Sequence, residues 1–253
     1  MSKGEHQTRR TLQPCTHIIP CVAFLVFDRF AATVGLLVPL EAKSDKIEAV
    51  SEFLIRGKKA VDSEPETIQW SVGSLYDGVE TLLIPCHRYG AKISDTKYAI
   101  FDTFATESGR NAHLEGKVAA ALMANASALL ASGPAIGHID ILASMIRSES
   151  TTTEAKVGLY VPLVAKPEKA EEVKSFLISA LPLVEEEPET LQWYAYRKSE
   201  TEFGIFDSSA GESGRNAHLN GKVAAALMAN AAELLAKPPV IHKVDILASK
   251  IVV

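Results

Sequence analysis

The sequence predicts an α+β protein made of two copies of one βαββαβ unit. Residues 107–126 return as residues 212–231 with 19 of 20 positions identical. The match extends to residues 101–146 and 206–251, where 33 of 46 positions are identical. An internal match of this length is typical of tandem domains, so the chain comprises two related halves.

An earlier block of each half has diverged further. Residues 34–75 match residues 157–198 at only 21 of 42 positions. An ordinary solvated helix face should have drifted as well. The near-identity of residues 107–126 therefore indicates that function resides there, with gene conversion of one segment as the alternative.

The first strand and helix of the unit follow from residue type and spacing. Residues 34–40, VGLLVPL, are β-branched and leucine-rich, which favours a strand. Ile47, Val50 and Leu54 then recur at helical spacing. Ser44 is the expected N-cap of this helix, and its counterpart in the second half, Pro167, suits a first helical turn.

The remainder of the unit adds two strands, a helix and a last strand. Residues 66–70 and 97–104 are predicted strands joined by a loop, and residues 136–146 form the closing strand. The intervening helix carries one apolar stripe, formed by Leu114, Val118, Leu122 and Leu129. Gly116 is expected to weaken or kink it.

A single unit of this kind leaves one sheet face uncovered. Split βαβ units form an antiparallel sheet with both helices on one side. The predicted strands are nevertheless apolar at almost every position, as in Ile141, Leu142 and Ala143. Strands of that composition are buried on both faces, so we expect each repeat to cover the open face of the other.

The repeat boundaries divide the chain into four parts. The offset between the halves changes from 123 to 105 residues, which means that the first repeat carries 18 extra residues. The predicted parts are an N-terminal extension at 1–31, a first repeat at 32–147 with an insertion within 76–97, a linker at 148–156 and a second repeat at 157–253.

The extension and the insertion each leave an alternative open. Arg9 and Arg10 before an apolar run resemble a secretory signal, but Asp28 and Arg29 interrupt that pattern. We favour a non-secreted extension and hence a cytoplasmic protein. The insertion suits a hairpin loop, because the entropy of loop closure grows slowly with length. Alternatively, both segments are untranslated sequence retained in a gene prediction.

The composition excludes several kinds of partner. The 253-residue chain has a net charge of −5 and a pI near 5.8, and it has no Lys/Arg-rich run for nucleic acid or an anionic membrane. Cys15, Cys21 and Cys86 lie outside the matched blocks. Neither a disulfide framework nor a zinc site is expected, which leaves a small molecule or another protein as the partner.

A family resemblance is carried by the segments VPLEAKSDK, ETIQW, IFDTFA and ESGRNAHLEGKVAAALMANASALL. They resemble the antibiotic biosynthesis monooxygenase domain, a group that includes quinol monooxygenases and belongs to the dimeric α/β-barrel superfamily. In that superfamily two ferredoxin-like sheets close into one barrel. The resemblance covers nearly all of both repeats. It implies that this chain is an intramolecular dimer, with further oligomerisation left open.

The resemblance also implies a monooxygenase that needs no cofactor and no metal. Some members oxidise quinol- or anthrone-like aromatics with molecular oxygen, which requires a phenol that is held, deprotonated and shielded from water. His113 and His218 lie where the family often has a histidine, and they are the expected bases of two equivalent pockets. Arg110 and Arg215 are expected to stabilise the substrate anion.

The expected substrate-binding residues are Trp70, Trp193, Asp102, Asp207, Asn111 and Asn216. Structural alternatives stand beside all these assignments. His113 is alternatively a surface residue, and Arg110 alternatively holds the end of its helix. The tryptophans alternatively belong to the core. A buried carboxylate is costly unless it is paired, so the aspartates alternatively pair with Arg110 or Lys117.

Two other functions remain open, because a fold does not fix a function. One is a non-catalytic barrel that binds a small molecule, and the other is a stress-associated barrel whose repeated helix is an assembly surface. The sequence contains no phosphate-binding loop and no dinucleotide motif. Met123 and Leu36 stand near the positions where the haem-degrading branch of the superfamily has a histidine and an asparagine, so haem is not expected.

Overall fold

The structure, a computed structural model, describes residues 32–76 and 96–252. The predicted N-terminal extension, most of the predicted insertion and all three cysteines lie outside these residues. The expectations about them therefore remain predictions.

Within the described residues the first repeat has the predicted βαββαβ order, with its second helix divided in two. Its elements are β1 (Val34–Glu41), α1 (Ile47–Val61), β2 (Thr67–Tyr76), β3 (Lys97–Phe104), α2 (Glu107–Leu114), α3 (Lys117–Leu129) and β4 (Gly137–Ile146).

The second repeat has the same order, and its first helix is divided as well. Its elements are β5 (Val157–Val164), α4 (Ala170–Ser179), α5 (Leu181–Glu185), β6 (Thr190–Arg197), β7 (Glu202–Ser209), α6 (Glu212–Leu219), α7 (Lys222–Leu234) and β8 (His242–Ile251). Pro182 stands at the start of α5 and has no N–H with which to continue α4.

The helix boundaries correct two details of the sequence interpretation. Ser44 lies in a turn and does not cap α1, which begins after Lys46 without a side-chain cap. Gly116 separates α2 from α3 completely, with extended backbone at ψ 178°. A Cβ at this position would lie 3.0 Å from the carbonyl oxygen of His113, so a larger residue would crowd the turn. The expectation for Pro167 is confirmed, since it opens a short 3₁₀ turn before α4.

The eight strands close into one antiparallel barrel in the order β1-β3-β2-β8-β5-β7-β6-β4. Each repeat supplies four neighbouring strands, and the two sheets join through the pairs β2–β8 and β4–β6. Every edge strand of one repeat is thereby hydrogen-bonded to an edge strand of the other. This arrangement confirms the intramolecular dimeric α/β barrel.

The inside of the barrel is filled by aromatic side chains from both repeats. Phe101 of β3 and its counterpart Phe206 of β7 stack with ring centroids 4.5 Å apart. Tyr194 and Tyr196 of β6 pack on Phe101 at 5.4 and 5.9 Å. All four side chains are buried. The helices cover the outer faces, where each repeat has a separate apolar core.

Residues 157–253 expressed alone are predicted to form a homodimer. In the whole chain, the edge strands β6 and β8 of this repeat pair with β4 and β2. In isolation, β6 of one copy can pair with β8 of a second copy, which also buries Phe206. Light scattering at micromolar concentration measures the mass, and circular dichroism checks the fold. A well-folded monomer would show that one sheet face tolerates exposure and would contradict this account of barrel closure.

Candidate active site

The site begins with the short helix α2. The side chain of Thr106 caps α2 by accepting a hydrogen bond from the backbone N–H of Gly109 at 3.2 Å. The capped helix places His113 in its last turn, where the imidazole is only 6% exposed. Phe104 of β3 packs beside the imidazole, with ring centroids 5.3 Å apart. His113 is therefore a buried residue and not a surface residue.

Both ring nitrogens of His113 face carboxylates. Nδ1 lies 2.5 Å from Oε2 of Glu64, in the loop before β2. Nε2 lies 3.4 Å from Oδ2 of Asp102 on β3. We call these three residues the Glu–His–Asp array. It joins three segments that are distant in the sequence.

The second repeat contains the same array. Nδ1 of His218 is hydrogen-bonded to Glu187, and Nε2 lies 3.4 Å from Oδ2 of Asp207. His218 and Asp207 are both buried. The same arrangement of side chains is therefore present in both halves, and in each it includes a glutamate that was not among the residues expected from the sequence.

The carboxylates decide the charge of the imidazole. Burial opposes the charged form of His113, but the hydrogen bonds and charges of Asp102 and Glu64 outweigh it and raise its pKa to about 9. For His218 burial is likewise outweighed, by the charge of Asp207 and by the hydrogen bond and charge of Glu187, and its pKa is also raised. With its pKa at about 9, the His113 imidazole is a cation at neutral pH, and both of its nitrogens carry a hydrogen that faces a carboxylate.

The aspartates of the arrays are shifted too. Burial raises the pKa of Asp102, and the hydrogen bond and charge of His113 offset only part of that effect. Burial likewise raises the pKa of Asp207, to about 6. Asp102 makes its ion pair with His113 and not with the arginine or lysine considered from the sequence. Among the described residues its second oxygen, Oδ1, has no hydrogen-bond partner.

The two candidate arginines hold helices to strands. Arg110 donates from Nη1 to the backbone carbonyls of Gly35 and Ile139, at 3.3 Å each, and its guanidinium also pairs with Glu107. Arg215 donates in the same way to the carbonyl of Val244 at 3.1 Å. These contacts fix α2 and α6 against the sheet, which is the structural alternative noted for Arg110.

A cavity of about 220 Å³ lies in the first repeat between α1, α3 and the outer face of the sheet. Its walls include Gly57 and Ala60 of α1, Val118 and Leu122 of α3, and Trp70 and Ile100 of the sheet. The indole N–H of Trp70 is buried and has no hydrogen-bond partner among the described residues.

Asp102 lies next to this cavity. It is the direct cross-strand neighbour of Trp70 and stands two residues from Ile100 on β3. Both neighbours line the cavity, and residues at these positions share one face of the sheet. The array and the cavity are thus adjacent on the helix-covered side.

The other predicted site residues are separated from the cavity. Asn111 and Asn216 are exposed on the outer faces of α2 and α6. Trp193 is fully buried in the core of the second repeat. The structure thus brings Trp70, Asp102 and His113 together and leaves the asparagines outside the site.

Sequence reasoning missed the two glutamates of the arrays. Glu64 and Glu187 each begin the tetrapeptide Glu-Pro-Glu-Thr, which recurs unchanged within the diverged block. Four consecutive identical residues within a block that has otherwise diverged are the sequence feature that could have singled out these glutamates. The partners of these glutamates lie far away in the sequence, so the signal did not reveal their role.

Within residues 32–76 and 96–252, no group of three or more His, Cys, Asp or Glu side chains is placed to hold a metal ion. In the same residues, no helix combines the length and apolar character needed to cross a bilayer.

No protein-family model and no curated protein matches the sequence, but solved structures do. A "putative monooxygenase" from Fusobacterium nucleatum aligns with a TM-score of 0.68 over 87% of this chain and 94% of its own, at 13% identity. An "anthrone oxidase-like protein" aligns with a TM-score of 0.53 over 87% of this chain and 93% of its own, at 10% identity.

A protein of unknown function from Nitrosomonas europaea is 50% identical over 39% of this chain and 96% of its own, with a TM-score of 0.38. The first two alignments span both repeats, and at their low identities they establish the fold. The chain therefore shares its closed α/β-barrel fold with these two proteins. In this chain, both halves of the barrel belong to one polypeptide.

The Glu–His–Asp array predicts a loss of stability at high pH. Because folding raises the pKa of His113 to about 9, its stabilising effect is complete below the unfolded pKa, near 6.5. It is lost as the pH rises through the folded value. The free energy of unfolding of the wild type, measured with urea between about pH 7 and 10, should therefore fall as the pH rises. The His113→Gln variant should lack the part of this fall that comes from the imidazole.

His138→Gln is the matched control, because His138 is exposed on β4. It should keep the wild-type pH dependence. If His113→Gln followed the same slope as the wild type, the imidazole would be neutral in the folded protein and the electrostatic description of the array would be wrong.

Proposed function

We propose that this protein is a cofactor-independent monooxygenase that oxidises a small phenol or quinol with molecular oxygen. The observation that carries the proposal is the cavity of about 220 Å³ next to a buried carboxylate–imidazolium pair. The likeness in fold to proteins described as a monooxygenase and as anthrone oxidase-like supports the same reaction class.

The size and lining of the cavity favour a substrate of one or two rings. An engineered apolar cavity of about 150 Å³ in another protein accommodates benzene, so a volume of about 220 Å³ suits a slightly larger aromatic. The walls are mainly aliphatic, with the Trp70 indole available for stacking. Such a pocket binds a flat, weakly polar molecule and excludes water from it.

Asp102 is the proposed proton acceptor. Its Oδ1 atom is buried without a hydrogen-bond partner among the described residues, and burial raises its pKa towards that of a useful base. A substrate hydroxyl would transfer its proton to this oxygen. The unpartnered N–H of Trp70 would then donate to the substrate oxyanion.

His113 takes a different role from the one expected from the sequence. The expectation that it is the base requires a free ring nitrogen, and both nitrogens face carboxylates. We therefore propose His113 as a positioning residue that orients Asp102 and tempers the rise in its pKa. His218 would hold the equivalent position beside Asp207.

The oxidation balances without a cofactor. The substrate anion supplies the electrons, and the O–O bond of molecular oxygen breaks. One oxygen atom becomes bonded to a ring carbon. The other combines with two hydrogen atoms lost by the substrate and leaves as water. The ring is oxidised to a quinone, so neither an external reductant nor a metal is required.

The test is oxygen uptake with a panel of benzene and naphthalene phenols and quinols. For an accepted compound, the double variant Asp102→Asn/Asp207→Asn should lower kcat by a factor on the order of 10², because proton abstraction is lost while the apolar walls remain. Replacing both aspartates keeps this test valid whichever repeat is active.

Asp140→Asn is the matched control, since Asp140 is exposed on β4. It should retain wild-type turnover, and circular dichroism should show that all variants are folded. Full turnover by the folded double variant would show that neither carboxylate takes part in the reaction. Absence of enzyme-dependent oxygen uptake across the panel would contradict the monooxygenase proposal.

A non-catalytic barrel that binds the same class of molecule is the second candidate. One observation favours it: the three side chains of the array hold one another, and none of them lines the cavity itself. Tight binding of the panel compounds without oxygen uptake would support this function.

A further inference from the structure

The two repeats share most of the residues that surround the cavity. Seven of its ten lining positions carry the same residue in the second repeat, including Trp70 and its counterpart Trp193. The three that differ all lie on α1. They are Arg56, Gly57 and Ala60, whose counterparts are Ser179, Ala180 and Leu183.

Two of these differences add volume at the equivalent place. Gly57 corresponds to an alanine, and Ala60 corresponds to a leucine with three more carbon atoms. In the second repeat Ala180 is 1% exposed, and Leu183 packs against the apolar cluster that contains Trp193 and Val223. The second repeat thus uses its own side chains to fill the space between helices and sheet that corresponds to the cavity of the first repeat.

The burial of one valine shows the effect of that filling. Val223 of α7 is 2% exposed. The identical residue of the first repeat, Val118 of α3, lines the cavity and is only partly buried. Since α3 and α7 match closely in sequence, the difference arises from the helices that face them.

The backbone of the facing helix differs in the same region. α1 continues unbroken from Ile47 to Val61. Its counterpart is divided between α4 and α5 at Pro182, which replaces Lys59. Leu183 follows directly after this proline. The proline and the leucine together remodel the wall that Gly57 and Ala60 leave open.

We infer that the two repeats have different roles: the first binds the small molecule, and the second is a closed half that completes the barrel. Gly57 and Ala60 set the size of the binding cavity, and Leu183 closes the equivalent one. The inference uses the cavity on which the proposed function rests, but it concerns binding and holds whether or not the bound molecule is oxidised.

The two tryptophans allow each repeat to be observed separately. The chain contains only Trp70 and Trp193, one in each repeat. Trp193→Phe leaves the indole that lines the cavity, and Trp70→Phe leaves the indole of the closed repeat. The probe is 4-bromophenol, an aromatic of one ring whose bromine quenches tryptophan fluorescence on contact.

Saturable quenching is expected in the Trp193→Phe protein and not in the Trp70→Phe protein. Isothermal titration of the wild type should give one molecule of 4-bromophenol per chain. Equal quenching of the two tryptophans, two molecules per chain, or no saturable quenching of Trp70 at millimolar probe would each overturn the inference.

Exchanging the distinguishing residues tests their role directly. Ala60→Leu, made in the Trp193→Phe background, should weaken binding at least tenfold, since it places in the first repeat the side chain that fills the second. Gly57→Ala is a milder second variant, because a Cβ there would lie 3.4 Å from Cζ2 of Trp70, an ordinary contact that folding tolerates. It should weaken binding less than Ala60→Leu does.

The reciprocal change opens the second repeat. Leu183→Ala, made in the Trp70→Phe background, should create quenching of Trp193 that is absent from its parent, at some loss of stability from the enlarged cavity. Unchanged binding in a folded Ala60→Leu protein would contradict the inference. If the quenching results are as expected but the wild type consumes no oxygen with any quinol, that result would count against the proposed oxidation and not against this inference.

Discussion

The whole structure depends on burying both faces of each four-stranded sheet. The side of each sheet that faces the other repeat carries large aromatic residues beside buried polar ones such as Gln69 and Gln192, so an isolated half would expose much apolar surface to water. Closure through β2–β8 and β4–β6 removes the four free edges at the same time. The stacked pair Phe101 and Phe206 then occupies the centre of the barrel. The helices are left on the outside, where cavities can form without disturbing this core.

The Glu–His–Asp array is the second constraint, and it acts within each repeat. His113 holds the loop before β2 and the strand β3 to α2 through one imidazolium. A buried charge without a partner is strongly destabilising, so the buried carboxylate of Asp102 requires the imidazolium of His113. Arg110 adds direct bonds from α2 to the carbonyls of β1 and β4. The short helix is therefore fixed by charges and hydrogen bonds more than by apolar contacts.

This dependence gives the near-identity of residues 107–126 and 212–231 a structural meaning. Those segments carry the histidine and arginine that both repeats need, and both repeats need them whether or not a cavity is present. The difference between the repeats arises in the diverged block, at Gly57 and Ala60 against Ala180 and Leu183. The most similar segment thus carries contacts that both repeats share, and the inferred difference in binding between the repeats rests on residues of the diverged block.

The sequence by itself determined the two repeats, the order of their elements and the need for each sheet to be covered twice, because internal matches and apolar periodicity are local properties of the chain. It also placed Trp70, Asp102 and His113 among the candidates by their residue types. Only the tertiary structure decided how they interact. Glu64 reaches His113 across 49 residues, and no spacing rule reveals such a contact. The pKa of His113 depends on two carboxylates that the fold brings to it, so its rise was not available from the sequence. The opening of one cleft and the closing of the other also depend on packing between helices, where a difference of a few carbon atoms determines whether space remains.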